Sequence, residues 1–123
     1  FFVYDSTGDE MEKIVEQGML YDFYGELLTP HQRKIYEDVV FNDMSLSEIA
    51  EEQGISRQGV HDLIKRCDRI LAGYEEKLRM VEKFNQTKRM VEEIKTLAGT
   101  YKKNGDMSLI DRIEAISEEI GQL

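Results

Sequence analysis

The chain has 123 residues, with 16 Lys and Arg against 25 Asp and Glu, a formal net charge of −9. A single Cys excludes an intramolecular disulfide and fits a reducing cytoplasm. No apolar run approaches membrane-spanning length, and the start, FFVYDSTGDE, has neither the basic segment nor the apolar stretch of a secretory signal.

One Pro among abundant Glu, Lys, Leu, Ile and Met favours helix, because these side chains lose little freedom there. The acidity is uneven. Residues 1–44 carry three basic and ten acidic side chains, residues 45–71 four and five, and residues 72–123 nine and ten.

Residues 1–8 are expected to be a disordered or processed end. From Asp9 to Leu28, apolar residues at Ile14, Val15, Met19, Leu20, Phe23, Tyr24, Leu27 and Leu28 keep helical spacing. Thr29-Pro30-His31-Gln32 is a helix start: a hydroxyl cap, a proline in the first helical position, and a Gln placed to close a capping box. That helix runs through Ile35, Tyr36, Val39 and Val40. A second capping box, Ser45-Leu46-Ser47-Glu48, opens a short helix with Leu46, Ile49 and Ala50 inward. Gln53-Gly54-Ile55 is a turn, and Ser56 caps the next helix, whose inward stripe is Val60, Leu63, Ile64, Cys67, Ile70 and Leu71.

Apolar positions continue at Tyr74, Leu78, Val81, Phe84, Val91, Ile94 and Leu97, a long arm with Gly73 as its expected break from the preceding helix. Thr100–Gly105 reads as a polar loop. Ser108-Leu109-Ile110-Asp111 reads as a further capping box before an apolar seam at Leu109, Ile113, Ile116, Ile120 and Leu123. The expected organisation is a helical domain over residues 9–71 and a helical arm over 72–123 that supports a homodimer.

Ser45–Lys65, SLSEIAEEQGISRQGVHDLIK, reads as a helix-turn-helix. Such a motif needs a small residue where its helices touch, a turn residue that tolerates positive φ, and apolar residues locking the second helix. Ala50, Gly54, and the set Ile49, Ile55, Val60 and Leu63 stand in those places; Gln53 stands where an apolar residue is more usual. At about 100° per residue, Gln58, His61, Asp62, Lys65 and Arg69 project opposite the core stripe, with Arg57 on the flank.

These residues suit a nucleic-acid contact. Gln58 and His61 are candidates for base edges, and Arg57, Lys65, Arg66 and Arg69 for phosphates. Ser56 caps the helix and leaves its first N–H groups as a further phosphate site. Asp62 opposes phosphate binding, although a carboxylate can accept from cytosine N4. The competing expectation is a solvated face, with the basic residues paired to Asp62 and Asp68, or a protein-docking surface.

Enzyme chemistry finds no foothold. His31 and His61 have no second ligand at metal spacing. Cys67 lies on the buried stripe. Glu75-Glu76, Glu92-Glu93 and Glu118-Glu119 read as solvated faces. Tyr21, Phe23 and Tyr24 read as core more readily than as a stacking platform. No enzyme activity, cofactor or metal is expected.

TPHQRKIYE, a spacer, and SLSEIAEEQGISRQGVHDLIKR resemble region 4 of bacterial sigma factors, which reads the promoter −35 element. LYDFYGELLTPHQR and ISRQGVHDLIKR more closely resemble the YlxM family of small bacterial helix-turn-helix proteins, over about Leu20 to the end of the chain. The resemblance implies an all-α fold with a sigma-region-4-like core and a regulatory role linked to the signal recognition particle. Two functions are therefore expected. One is a DNA-binding regulator contacting duplex DNA through Ser56, Arg57, Gln58, His61, Lys65, Arg66 and Arg69. The alternative is an adaptor docking on the particle's GTPase or RNA, with Asp22, Glu26, Glu37 and Asp38 among the acidic residues steering it to a basic partner.

Overall fold

The computed structural model describes residues 10–123, with side chains from Glu12 onward. The end at residues 1–8 lies outside the described residues. Among those described, the chain is all helical: α1 (Glu10–Tyr24), a 3-10 turn (Gly25–Leu27), α2 (Pro30–Val40), α3 (Leu46–Gln53), α4 (Arg57–Leu78), α5 (Met80–Asn104) and α6 (Ser108–Gly121). They form two units, one ending at Val81 and the other running from Glu82 to Leu123.

In the first unit the helix starts lie where side-chain chemistry puts them. Gln32 N–H donates to Thr29 Oγ1 (3.2 Å) and Thr29 N–H to Gln32 Oε1 (3.0 Å), a closed capping box ahead of α2. Ser45 and Glu48 repeat it ahead of α3 at 3.2 and 3.1 Å. Each box satisfies two backbone donors that a helix start would otherwise leave without partners. Gly54 ends α3 at φ 68°, ψ 31°, the left-handed turn that its missing Cβ permits. Ser56 Oγ then accepts from Gly59 N–H (2.9 Å) to start α4.

The core gathers one stripe from each helix: Leu20 and Tyr24 from α1, Ile35, Tyr36 and Val40 from α2, Ile49 and Ala50 from α3, and Val60, Ile64, Cys67 and Leu71 from α4, with Leu28 and Val81. Ile14 and Val15, in the first half of α1, are exposed instead. The Tyr21 ring stacks on Tyr36 and meets Phe41 edge-on, with centroids 5.8 and 5.3 Å apart. It passes so close to Gly25 that a Cβ there would lie 2.7 Å from the ring. That contact is the physical content of the glycine in the DFYG block.

Through this core run two buried carboxylates of α4. Asp68 accepts from Gln17 Nε2 on α1 (3.0 Å to Oδ1, 3.3 Å to Oδ2) and from Tyr36 OH on α2 (2.7 Å). Two turns on, Glu75 accepts from Tyr24 OH (2.6 Å) and from Val81 N–H (3.0 Å), while Tyr24 OH accepts from Met80 N–H (3.2 Å). Asp68 is 6% exposed and Glu75 2%. A carboxylate so placed is tolerable only because donors replace its lost water. These residues correct the sequence expectation, in which Asp68 and Glu75 belonged to solvated faces. Asp38, expected to steer a partner, is also buried, accepting from Lys34 Nζ (3.3 Å) and Asn42 Nδ2 (2.9 Å).

Gly73 does not break the helix. α4 continues through it to Leu78, because the ~1 kcal/mol cost of an interior glycine is smaller than the ~1.5–3 kcal/mol from burying a side chain such as Leu71. The break falls at Arg79, left-handed at φ 52°, whose N–H donates to Glu75 O (2.8 Å).

In the second unit, the expected loop at Thr100–Gly105 is helical as far as Asn104. Thr96 and Thr100 are absorbed into the helix by hydroxyl bonds back to Glu92 O (3.0 Å) and Thr96 O (3.1 Å). Gly105, at φ 66°, ends it. The capping box expected at Ser108 and Asp111 does not form. Instead Asp106 Oδ1 accepts from Ser108 N–H (2.9 Å) and Oγ (2.8 Å), hydrogen bonds that hold the Asp106 carboxyl below its ordinary range. Arg112 joins α6 to α5 through Glu93 (3.2 Å), and Ile116 is buried.

Two outcomes follow from the buried carboxylates. Glu75→Ala orphans the Tyr24 hydroxyl and the Val81 N–H at about 1–3 kcal/mol per donor, so urea denaturation is expected to show a loss of about 2–6 kcal/mol, larger than that of Tyr24→Phe. Burial and then the Glu75 hydrogen bond push the Tyr24 hydroxyl up to about 12; burial and then Asp68 push the Cys67 thiol up to about 11; burial and then the Asp68 charge also raise Tyr36. All three shifts are upward and favour the neutral forms. Their stabilisation is therefore complete below the ordinary values near 9 for the thiol and 10 for the phenols, and the contributions of Cys67 and Tyr24 are lost as pH rises through 11–12. Thermal melts should show the midpoint holding to about pH 9 and falling by pH 11–12; a midpoint unchanged at pH 12 would contradict the assignment.

Candidate nucleic-acid interface

α4 has 22 residues, and only one side of it is needed for the core. From its start to Arg69 it consequently presents Gln58, His61, Asp62 and Arg69 to solvent, as helical projection predicts, with Arg57 at the start and Arg66, which the projection did not place there, exposed as well. Ser56 lies at the start with its oxygen engaged by Gly59 N–H, so its side chain serves the cap.

Two hollows flank this face. On one side His61 and Lys65 meet Lys13, Ile14 and Gln17 of α1 around an apolar floor of Val39, Leu46 and Ile64, a hollow of about 420 Å³. Lys65 is half-buried there, so it leans toward α1 rather than standing squarely opposite the core. On the other side Gly59, Asp62, Leu63 and Arg66 face Thr29, His31 and Gln32 at the start of α2 across a hollow of about 350 Å³. The structure thus brings most of the sequence-selected residues onto one face and adds the start of α2 and Lys13. The Thr29-Pro30 signal marked a helix start. It did not say that the start would sit beside α4, which is some thirty residues further along the chain.

The electrostatics differ from a count along the sequence. Asp68 is withdrawn into the core on Gln17 and Tyr36, so it does not face an approaching ligand. Asp62 is the one carboxylate on the exposed side of the N-terminal half of α4. Its Oδ1 accepts from Gln58 Nε2 (2.9 Å) and lies 3.6 Å from His61 Nδ1. Arg57, Arg66 and Arg69 therefore set the sign of this face. Glu48, Glu51 and Glu52 on α3 are exposed, so the first helix of the motif adds no basic surface to that of α4.

Among the described residues no group of His, Cys, Asp and Glu could hold a metal ion, and no helix is long and apolar enough to cross a membrane. Cys67 is fully buried, and Tyr24 is core. Tyr21 and Phe23 are half-buried against that core.

Comparison with known proteins gives a consistent result. Residues 11–112 match the family UPF0122, described as "Putative helix-turn-helix protein, YlxM / p13 like". The chain is 40% identical over 107 residues to the UPF0122 protein YlxM of Bacillus subtilis, covering 86% of this chain and 97% of that protein. It is 43% identical over 114 residues to a UPF0122 protein of Acetivibrio thermocellus, covering 89% and 97%. A UPF0122 protein of Shouchella clausii is 40% identical over 107 residues, covering 86% and 98%. With an all-helical fold, a capped helix-turn-helix at its centre, and relatives matched over nearly their whole length, the chain belongs to the UPF0122 family of YlxM-like helix-turn-helix proteins.

Proposed function

We propose that this protein is a non-enzymatic regulator that binds duplex DNA through the exposed face of α4. The observation that carries the reading is the burial of Asp68, which leaves Asp62 as the one carboxylate beside Arg57, Arg66 and Arg69 on the exposed side of the N-terminal half of α4. In such a module the start of the second helix enters the major groove. Arg57, Lys65, Arg66 and Arg69 then hold phosphates, Gln58 and His61 meet base edges, and the first N–H groups of α4 behind Ser56 supply a further phosphate contact. The net charge of −9 slows encounter at long range, so affinity rests on these local contacts and falls steeply with salt.

The competing reading is an adaptor docked on a protein or RNA, the signal recognition particle among them. Exposed Asp22 and Glu26 on the N-terminal side favour it through attraction to a basic partner. Self-association is proposed for the arm formed by α5 and α6, where Phe84 and Val91 of α5 are exposed.

Fluorescence anisotropy with a mixed-sequence duplex separates these readings. The wild type is expected to bind with a Kd of about 10⁻⁴–10⁻⁶ M at physiological salt and more tightly at low salt. Arg57→Ala, Lys65→Ala and Arg69→Ala should each weaken binding to all sequences and lower the salt slope by about one. Absence of binding at low salt would overturn the DNA reading in favour of the adaptor. Light scattering across a concentration series should show a dimer; a monomer throughout would remove self-association.

A further inference from the structure

Gln58 is the second residue of α4, where the recognition helix of such a module meets base edges. Its amide is not free: Nε2 donates to Asp62 Oδ1 at 2.9 Å, one turn along the same exposed face. The orientation of the amide follows from the chemistry of its partner. An ionised carboxylate only accepts, so the NH₂ side of Gln58 must face Asp62. One of its two N–H groups is thereby occupied. The other N–H and Oε1 remain as an adjacent donor and acceptor.

We infer that Asp62 is a positioning residue that presents the Gln58 amide for adenine. This rests on the DNA-binding reading above and deepens it. In the major groove adenine offers the N7 acceptor beside the N6–H donor, the complement of the remaining pair on Gln58. Guanine offers two acceptors, N7 and O6. An unrestrained glutamine can turn both N–H groups toward guanine, whereas one held by Asp62 cannot. Cytosine offers a donor and thymine an acceptor, each satisfying half of the pair. The same contact accounts for a carboxylate on a phosphate-binding face. Its charge is partly answered by the Gln58 amide, which donates to Oδ1 at 2.9 Å.

The test is selection from a random-sequence duplex pool, with sequencing of the bound fraction and anisotropy on the selected site. It uses the full chain and the variants Gln58→Ala, Asp62→Ala and Asp62→Asn. All three substitutions lie on an exposed helix face, and circular dichroism checks that each variant folds. The wild type should return one adenine-dominated position whose discrimination, roughly 5- to 150-fold for a good bidentate pair, disappears in Gln58→Ala.

Asp62→Ala should admit guanine at that position, lowering the adenine-to-guanine ratio about two-fold, the scale of one helix-surface hydrogen bond, while raising affinity for every duplex by removing a negative charge. Asp62→Asn removes the charge but can present its NH₂ as well as its oxygen to Gln58, so it should gain the affinity with an adenine-to-guanine ratio between those of the wild type and Asp62→Ala. A merely structural role for Asp62 would not separate these two readouts. An adenine position indifferent to Asp62→Ala, or no position dependent on Gln58, would overturn the inference while leaving DNA binding in place. No duplex binding by the wild type would overturn the DNA-binding reading, and the inference with it.

Discussion

The fold turns on where α4 puts its two buried carboxylates. Asp68 and Glu75 lie seven residues apart, on one side of the helix, and each accepts from hydroxyl, amide or backbone donors of other elements. A core of aliphatic side chains can tolerate small slips between helices, because dispersion and the hydrophobic effect have little direction. A buried carboxylate cannot, since losing one donor costs about as much as burying another aliphatic side chain gains. Gln17, Tyr24 and Tyr36 are thereby tied to particular turns of α4, which sets how α1 and α2 lie against it.

The same two carboxylates have consequences for both parts of α4. At its far end, Glu75 reaches past the left-handed Arg79 to the Val81 N–H in the first turn of α5, so the carboxylate acts as a cap for the following helix as well as a partner for Tyr24. At its near end, drawing Asp68 inward changes the sign of the exposed face. Four basic and five acidic residues between positions 45 and 71 suggest no cationic surface. Their distribution in space puts the glutamates of α3 on one helix and the arginines on another, with Asp62 engaged by Gln58. Stability and the candidate interface thus depend on the same residue.

Much of the local structure is legible in the sequence because its causes are local. The boxes at Thr29 and Ser45, the Gly54 turn and the Ser56 cap each involve groups within a few residues of one another, and each forms. The stripe Val60, Ile64, Cys67 and Leu71 is legible because period and burial coincide on an amphipathic helix. Local signals misled where two local options competed. Gly73 and the threonines near residue 100 look like breakers, yet packing outweighs the first and hydroxyl back-bonds accommodate the second. Ser108 resembles a cap, but Asp106 is better placed and takes the role.

By itself, the sequence determined that the chain is helical, where α2, α3 and α4 begin, and which side of α4 faces inward, since capping, turn chemistry and periodicity act over one or two turns. Only the tertiary structure decided which charges remain at the surface. Asp38, Asp68 and Glu75 look like surface residues by type, and the partners that make burial of Asp68 and Glu75 tolerable lie far away in the chain: Gln17 and Tyr24 are each 51 residues from theirs, and Tyr36 is 32. A carboxylate's solvation is set by what surrounds it in space, and that becomes known only once α1 and α2 have packed on α4.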